Sequence, residues 1–101
     1  MGQRKYPPLT PAEVESILRA LKFEYKRQEG SHRHYERQKD DTHPRSIVTV
    51  DMTVKEFDDF LIKSMVRQSN FTREQFYGAT QRTAKRASVK QFVLNVTTEL
   101  D

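Results

Sequence analysis

Two histidines in the stretch "RQEGSHRHYER" are the side chains of this sequence best suited to acid–base chemistry. His32 and His34 lie two residues apart, just after a glycine, and arginines and glutamates surround them. Histidine has an ordinary pKa of about 6.5, so a positioned imidazole readily takes or gives a proton near neutral pH. Lys26, Arg27 and Arg33 are near enough in the chain to bind phosphate. The stretch is therefore either a chemical site or a polar hairpin on a small basic protein.

The same pair of histidines has a spacing that a metal ion can use. His32-x-His34 would place two imidazoles on one face of a strand, and a third ligand would have to be His43 or Glu36. No zinc-binding signature surrounds these residues, and the chain has no cysteine, which excludes thiolate sites and disulfides. The sequence therefore predicts a site with no metal and no other cofactor.

Composition limits the class of protein. The chain has 101 residues, which suits one small domain, and 35% of them are hydrophobic, which predicts a small core. The net charge of +4 favours an acidic partner, which is a nucleic acid, an anionic surface or an acidic protein. No apolar run approaches the roughly 18 residues of a membrane span, and "MGQRKYPPLTP" lacks the apolar core of a signal peptide. We expect a cytoplasmic protein.

Three helices are predicted from apolar residues at helical spacing. Each follows a capping box, in which a threonine and a Glu or Gln three residues later satisfy the first free amides of the helix. In the second helix the apolar stripe begins with Phe57, Phe60 and Leu61. The predicted helices span residues 11–21, 54–69 and 73–86, after Thr10, Thr53 and Thr72.

Three strands are predicted between the first two helices, from "FEYKRQ", "HRHYER" and "SIVTVDM". The first two alternate around "EGS", and the third, Ser46 to about Asp51, is rich in β-branched residues. The loop of the hairpin decides which side chains share a face, because a slip of one residue exchanges the faces. A two-residue loop, Glu29-Gly30, would separate the aromatic side chains, whereas a three-residue loop ending at Ser31 places them on one face and is favoured. The favoured register pairs Tyr25 with Tyr35, Gln28 with His32 and Lys26 with His34.

The resulting order, α-β-β-β-α, is an α+β fold with a three-stranded antiparallel sheet. Two helices must cover one face of this sheet to bury its apolar side chains. The other face stays open and polar, and the predicted register puts His32, His34 and Lys26 on it. Arg27 and Arg33 then point toward the helices and reach a phosphate only around an edge of the sheet.

Residues 9–78 resemble the HicA toxins, small mRNA-cleaving proteins of HicAB toxin–antitoxin systems. The resemblance rests on an amphipathic first helix, on "KFEYKRQEGSHRHY" with its aromatic strand, basic pair and Gly-Ser-His, on "IVTV", and on "LIKSMVRQSNFTREQF". Two departures are visible. Lys22 replaces a glycine that usually precedes the strand aromatic, and "VDMTV" replaces an element that is often Pro-x-His-Gly.

The resemblance implies a double-stranded-RNA-binding-domain-like fold and a metal-independent endoribonuclease that cleaves mRNA and blocks translation. It implies that His32 is the catalytic acid or base, and that a HicB-like antitoxin covers it. His34 and Lys26 are candidate auxiliary groups. The residues predicted to bind RNA are Lys26, Arg27, Ser31, Arg33, Arg82, Lys85 and Arg86. The alternative is a non-catalytic RNA-binding module or a regulatory protein on the same fold.

The boundaries predicted are a flexible arm at 1–9, a HicA-like domain at 10–78 and a C-terminal extension at 79–101. In the extension, "QRTAKRASVK" carries cations and no acid, so it would follow RNA, dock an acidic antitoxin or simply be solvated. The last segment fits a strand or a helix, and its β-branched residues favour a strand. The extension is also a candidate segment for oligomerisation.

Overall fold

A computed structural model describes residues 6–94 and confirms the α+β fold. The elements are α1 Pro11–Ala20, β1 Glu24–Glu29, β2 His32–Arg37, β3 Ser46–Asp51, α2 Asp59–Ser69, α3 Arg73–Gly78 and α4 Gln81–Ala87. The three strands form one antiparallel sheet in the order β1-β2-β3. Among residues 6–94, none of the helices could span a membrane.

Helix α1 forms for the reasons that its sequence indicates. Thr10 Oγ1 accepts a hydrogen bond from the Glu13 amide at 3.2 Å, and Glu13 Oε1 accepts one from the Thr10 amide at 2.9 Å. Pro11 occupies the first helical position, where its missing amide hydrogen costs nothing. The apolar face of α1 packs on the sheet. The fully buried side chains of this part of the core include Val14, Ile17, Leu18, Val48 and Val50.

Residues 6–9, which were expected to belong to a flexible arm, pack against the domain. Leu9 is fully buried and forms a β-bridge with Phe57, in which the Phe57 amide donates to the Leu9 carbonyl at 2.8 Å. The Tyr77 hydroxyl donates to the Pro7 carbonyl at 2.5 Å, and the rings of Tyr6 and Tyr77 lie 4.9 Å apart. The described part of this segment therefore contributes to the core.

Helix α2 begins at Asp59, later than the sequence predicts. Its N-cap is Asp58, whose side chain accepts a hydrogen bond at 2.9 Å from the amide three residues later. Thr53, the predicted cap, instead donates to the side chain of Asp51 at 2.8 Å. The later start follows from the β-bridge of Phe57, because a residue paired in a bridge is extended and cannot belong to the helix.

The later start also changes which side chains α2 buries. Its inward face consists of Ile62, Met65 and Ser69. Phe60 is 77% exposed and Leu61 is 40% exposed, so the prediction that both belong to the buried stripe is wrong. These two large apolar side chains therefore lie on the surface of the domain.

The third predicted helix is divided into α3 and α4. Thr72 caps α3 in the predicted box with Gln75. Thr80 then caps α4, because its side chain accepts a hydrogen bond at 3.1 Å from the amide three residues later. Threonine hydrogen-bonds its own backbone better at a helix start than within a helix, so two short helices replace one.

The segment after α4 returns to the break between the two short helices. The Phe92 amide donates to the Gly78 carbonyl at 2.8 Å, and a Cβ on Gly78 would lie 2.7 Å from the Lys90 carbonyl oxygen. Residues 89–94 form an irregular segment packed on the core and not the predicted strand. The rest of that prediction, 95–101, lies outside the described residues.

Candidate functional site

The hairpin of β1 and β2 turns through two residues, Gly30 and Ser31. Gly30 has a φ of 59°, a left-handed value that suits glycine at the first position of a two-residue turn. At the base of the hairpin Tyr25 is opposite Tyr35, as predicted. A β-bulge then shifts the register by one residue. The pairs beyond the bulge are Arg27–His34, Gln28–Arg33 and Glu29–His32.

The bulge changes which side chains share a face. The predicted pairs Gln28–His32 and Lys26–His34 are wrong, because a two-residue turn and one extra strand residue replace the three-residue loop. Directly opposed residues share a face, so Arg27 lies on the open face and the prediction that it points toward the helices is also wrong. Gln28 lies on the helix side, where its Oε1 accepts from Arg33 Nε at 3.1 Å.

His32, the first residue of β2, lies opposite Asp51 on the open face. The side chain of His32 is 53% exposed, and its Nε2 is 3.8 Å from Asp51 Oδ2. Asp51 Oδ1 accepts hydrogen bonds from the Thr53 amide at 3.0 Å, the Thr53 hydroxyl at 2.8 Å and the Ser31 hydroxyl at 3.1 Å. The bonds from Thr53, and then the bond from Ser31, lower the pKa of Asp51. His32 therefore stands beside a fixed anion.

A cleft of about 200 Å³ lies where the open face of the sheet meets α2. His32 and Thr49 line it from the sheet, and Leu61 and Met65 form an apolar wall. Gln68 Oε1 accepts a hydrogen bond from the Thr49 amide at 3.3 Å, which ties α2 to the edge of β3. The imidazole of His32 thus borders a concave surface, a setting typical of binding sites.

His34 is more enclosed than His32, with a side chain that is 17% exposed. Its Nδ1 lies 3.0 Å from the Thr49 hydroxyl on β3, and its Nε2 lies 3.1 Å from Glu29 Oε1 on β1. Hydrogen bonds from Arg27, and then from His34, lower the pKa of Glu29, so this carboxylate is ionised at neutral pH. Both ring nitrogens of His34 thus have partners on the neighbouring strands.

Glu29, Thr49 and Asp51 are site residues that sequence reasoning missed. The three-residue loop assigned Glu29 to the turn, whereas the structure places it in β1 opposite His32. The signal that was available is the Gly-Ser dipeptide, since glycine at the first position is typical of a two-residue type II′ turn. Thr49 is 15 residues from His34 in the chain, and no local pattern connects the two.

The third histidine lies away from this site. The ring of His43 stacks on Phe71 with centroids 4.1 Å apart, and its Nδ1 lies 2.7 Å from the Thr42 hydroxyl. Within residues 6–94, no three His, Cys, Asp or Glu side chains are grouped so that they could hold a metal ion. The partners of His32 and His34 are carboxylates and a hydroxyl, which suit proton transfer.

Arg33 lies on the helix side of the sheet, as predicted, and is not part of the cleft. Its Nη1 donates to Glu15 Oε2 on α1 at 2.8 Å, and the Tyr35 hydroxyl donates to the same oxygen at 2.5 Å. Burial opposes the ionisation of Glu15, but the bonds from Tyr35 and Arg33 outweigh it and lower the pKa of this carboxyl. Arg33 is therefore engaged in joining β2 to α1.

The remaining predicted RNA-binding cations form two groups. Lys26 and Arg27, in β1, have side chains that are 40% and 62% exposed. The cations of α4 lie on an element that does not line the cleft. There, Arg86 Nη1 donates to Glu13 Oε2 at 2.6 Å and ties α4 to the start of α1, while Arg82 and Lys85 are exposed.

The fold and the site define a small protein of double-stranded-RNA-binding-domain-like architecture, whose open sheet face carries acid–base side chains. A family model described as "HicA toxin of bacterial toxin-antitoxin" matches residues 11–71. Because the match covers more than half of the chain, the protein belongs to the HicA toxin family. It is therefore a toxin of a toxin–antitoxin system, and its partner is an antitoxin. A comparison with curated proteins finds no match.

Proposed function

We propose that this toxin is an endoribonuclease that cleaves mRNA without a metal and so blocks translation in the cytoplasm, with His32 as a catalytic acid–base group. The observation that carries the proposal is the position of His32. It is exposed on the open face, borders the cleft and stands beside the ionised Asp51. It also belongs to the Gly-Ser-His sequence on which the family resemblance rests.

The proposed reaction uses the 2′-hydroxyl of RNA as its nucleophile. The 2′-oxygen attacks the adjacent phosphorus, a base takes the hydroxyl proton, and an acid protonates the departing 5′-oxygen. His32 takes the first proton, and the Asp51 carboxylate 3.8 Å away stabilises the imidazolium that forms. A positioned base of this kind typically contributes about 10²–10⁴-fold to the rate.

Phosphate contacts near the cleft are assigned to Lys26 and Arg27, because both are exposed and belong to the strand that pairs with the histidine-bearing strand. Arg82 and Lys85 on α4 are available for more distant contacts with the RNA backbone. Arg33 and Arg86 are weaker candidates, since glutamates of α1 hold them at 2.8 and 2.6 Å. The glutamates that pair with Lys26 and Arg27 lie farther away, at 3.6 and 3.3 Å. Ser31 acts through Asp51, to which its hydroxyl donates.

We assign the antitoxin, a HicB-like protein, to the same surface, because covering the cleft would block access to His32. Leu61 on α2 lines the cleft, and the exposed Phe60 precedes it in the chain, so the two apolar side chains offer area for such a contact. Oligomerisation through residues 79–101 stays a prediction. Val89, Phe92 and Leu94 of that segment pack on the protein's own core.

The test is cleavage of end-labelled RNA by the purified protein, with DNA of the same sequence as the substrate control. His32→Ala should lose cleavage by at least about 10²-fold, because it removes a base that contacts the substrate. His43→Ala is the matched control, since His43 lies outside the cleft. Full cleavage by a correctly folded His32→Ala variant would show that His32 is not the catalytic acid–base group.

A further inference from the structure

Two side chains that can carry a proton line the cleft from neighbouring strands of the sheet. His32 lines it directly, and Thr49 lines it with a hydroxyl that lies 3.0 Å from His34 Nδ1. The other ring nitrogen of His34, Nε2, lies 3.1 Å from Glu29 Oε1. We propose that Glu29, His34 and Thr49 form a proton relay that protonates the leaving 5′-oxygen of RNA, with the Thr49 hydroxyl as the catalytic group. This inference rests on the proposed ribonuclease function.

His34 acts through Thr49 because its own ring has no free nitrogen in the described structure. Both nitrogens have partners, and the side chain is 17% exposed. In the imidazolium form both ring nitrogens are donors. Nε2–H then donates to Glu29 and Nδ1–H donates to Thr49 Oγ1, which leaves the hydroxyl proton of Thr49 free to point into the cleft. His34 is therefore a positioning residue and a proton reservoir.

The charged groups around His34 support this arrangement. From β1 it meets two charged groups, the Arg27 cation with which it is paired in the sheet and Glu29, whose pKa is lowered by Arg27 and then by His34 itself. Arg27 is itself paired with Glu29, at 3.3 Å. On its own strand His32 and Glu36 each lie two residues away, and Glu36 forms an ion pair with Arg45. From β3 it meets the neutral Thr49, and Asp51 lies two residues farther along that strand. The nearest anion of His34 is therefore Glu29, on the side of the ring that faces away from Thr49.

The relay balances the atoms of the reaction. His32, as neutral imidazole, takes the proton of the 2′-hydroxyl while the bond from the 2′-oxygen to phosphorus forms. The bond from phosphorus to the 5′-oxygen breaks, and that oxygen takes the proton of the Thr49 hydroxyl. Thr49 Oγ1 takes the Nδ1 proton of the His34 imidazolium in the same step. The products are a 2′,3′-cyclic phosphate and a 5′-hydroxyl, and exchange with water restores both histidines.

The two histidines are not interchangeable in this scheme. A base must accept the 2′-hydroxyl proton directly, and the exposed ring of His32 is available for that. A threonine hydroxyl is a poor base, but it donates a proton well when an imidazolium replaces that proton at once. His34, which contacts the Thr49 hydroxyl, therefore supplies the proton on the acid side, and the exposed His32 is the base.

The experiment compares ordinary RNA with RNA in which sulfur replaces the bridging 5′-oxygen at the cleavage site. A thiolate leaves without protonation, because thiols ionise far more readily than alcohols. Thr49→Val should cleave ordinary RNA at least about 10²-fold more slowly than wild type, and the sulfur substrate at a rate near that of wild type. Thr49→Ser, which keeps the hydroxyl, should restore cleavage of ordinary RNA. His32→Ala should stay slow on both substrates.

A pH profile adds a readout that a structural role for His34 would not move. For wild type, kcat should fall at high pH as the imidazolium is lost, and His34→Gln should lack this fall while its KM is unchanged. The relay is overturned if Thr49→Val cleaves ordinary RNA as fast as wild type, or if its defect is equal on both substrates. Failure of wild type to cleave either substrate would instead overturn the ribonuclease function on which the relay depends.

Discussion

The two faces of β2 carry similar basic side chains in very different settings. On the helix side, Arg37 is 6% exposed, donates to the Leu21 carbonyl at 3.0 Å and to Asp40 at 2.7 Å, and stacks its guanidinium over Phe71. On the open face, His32 is 53% exposed, and its nearest carboxylate oxygen is 3.8 Å away. Arginine is always charged, and on one side of the strand its guanidinium is buried and bonded through Nε and Nη2, while a titratable histidine is accessible on the other side.

The two-residue period of this strand separates the side chains that stabilise the fold from those that can do chemistry. A buried cation with good hydrogen-bond partners joins elements of the fold, and removing it leaves those partners unsatisfied. An exposed imidazole beside a fixed anion adds little to stability but can exchange protons with a ligand. Substitutions on the helix side should therefore change the free energy of unfolding, and those on the open face should change activity.

Growth arrest of the expressing cells should respond most strongly, and only to a substitution on the open face. Expression of His32→Ala should permit growth, because the base is lost, whereas expression of wild type should stop growth. Arg33→Ala, on the helix side of the same strand, should still stop growth as long as the protein folds. Growth counts after induction, with protein levels measured on the same cultures, check this prediction. Continued arrest by His32→Ala would show that the open face is not where toxicity arises.

The next effect is on stability. Tyr35→Phe removes the hydroxyl that donates to the Glu15 carboxylate at 2.5 Å, and the free energy of unfolding should fall by about 1.5–3 kcal/mol. Burial, and then the bond to Glu15, raise the pKa of Tyr35 to about 12, so the phenol keeps its proton and donates at all ordinary pH values. Cleavage by the folded variant should be unchanged.

Tyr25→Phe is the matched control for this change. Its ring packs edge-on against Tyr35, with centroids 5.9 Å apart, but the side chain is 51% exposed. Surface substitutions of this kind usually change the free energy of unfolding by less than about 0.5 kcal/mol. Urea unfolding of the two variants compares the buried hydroxyl with the exposed one. Equal losses in the free energy of unfolding would show that the hydrogen bond to Glu15 contributes no extra stability.

A smaller effect follows from the titration of Glu15. Its pKa is lower in the folded protein than in the unfolded chain, where glutamate has a value of about 4.3, so the folded state binds fewer protons. The stabilisation by the ionised Glu15 is fully present above the pKa of the unfolded chain. It is lost as the pH falls through the lower pKa of the folded protein. Wild type should therefore lose more stability between pH 7 and pH 3 than Glu15→Gln. Parallel losses measured by urea unfolding would contradict this.

The smallest expected effect is on the salt dependence of RNA binding. Arg27→Ala removes one exposed cation of the open face, so the slope of log K against log salt should fall by roughly 0.7 for single-stranded RNA. Arg33→Ala should leave the slope unchanged, because its guanidinium lies on the helix side and is held at 2.8 Å by the buried Glu15, whereas Arg27 pairs at 3.3 Å with the exposed Glu29 on the open face. Binding to an uncleavable 2′-deoxy substrate at several salt concentrations gives both slopes. Equal slopes for Arg27→Ala and wild type would show that Arg27 does not contact the phosphates of the RNA.

The sequence predicts the fold well because its apolar pattern is local. Val14, Ile17 and Leu18 recur at helical spacing, and "SIVTV" marks β3, so α1 and β3 lie where they were predicted. The start of α2 was not predictable, because the β-bridge between Phe57 and Leu9 joins residues that are far apart in the chain. A capping box at Thr53 was outcompeted by this contact and by the cap at Asp58.

The site was predictable only in part. Pairing of Tyr25 with Tyr35 followed from two aromatic residues, and it is confirmed. The bulge that follows lies in "KRQE", which is polar throughout, so no apolar side chain indicated the register there. For the same reason, the contacts of His34 with Glu29 and Thr49 were not visible in the sequence.

In the proposed reaction the open face of the sheet cleaves RNA by attack of the RNA's own 2′-hydroxyl, without a metal. The most direct measurement is analysis of the product ends after incubation of wild type with labelled RNA in excess chelator. We predict a 2′,3′-cyclic phosphate and a 5′-hydroxyl, and no cleavage when a single 2′-deoxy nucleotide stands at the cut site. Cleavage of that substituted RNA, a 5′-phosphate end or a requirement for added metal would contradict the claim.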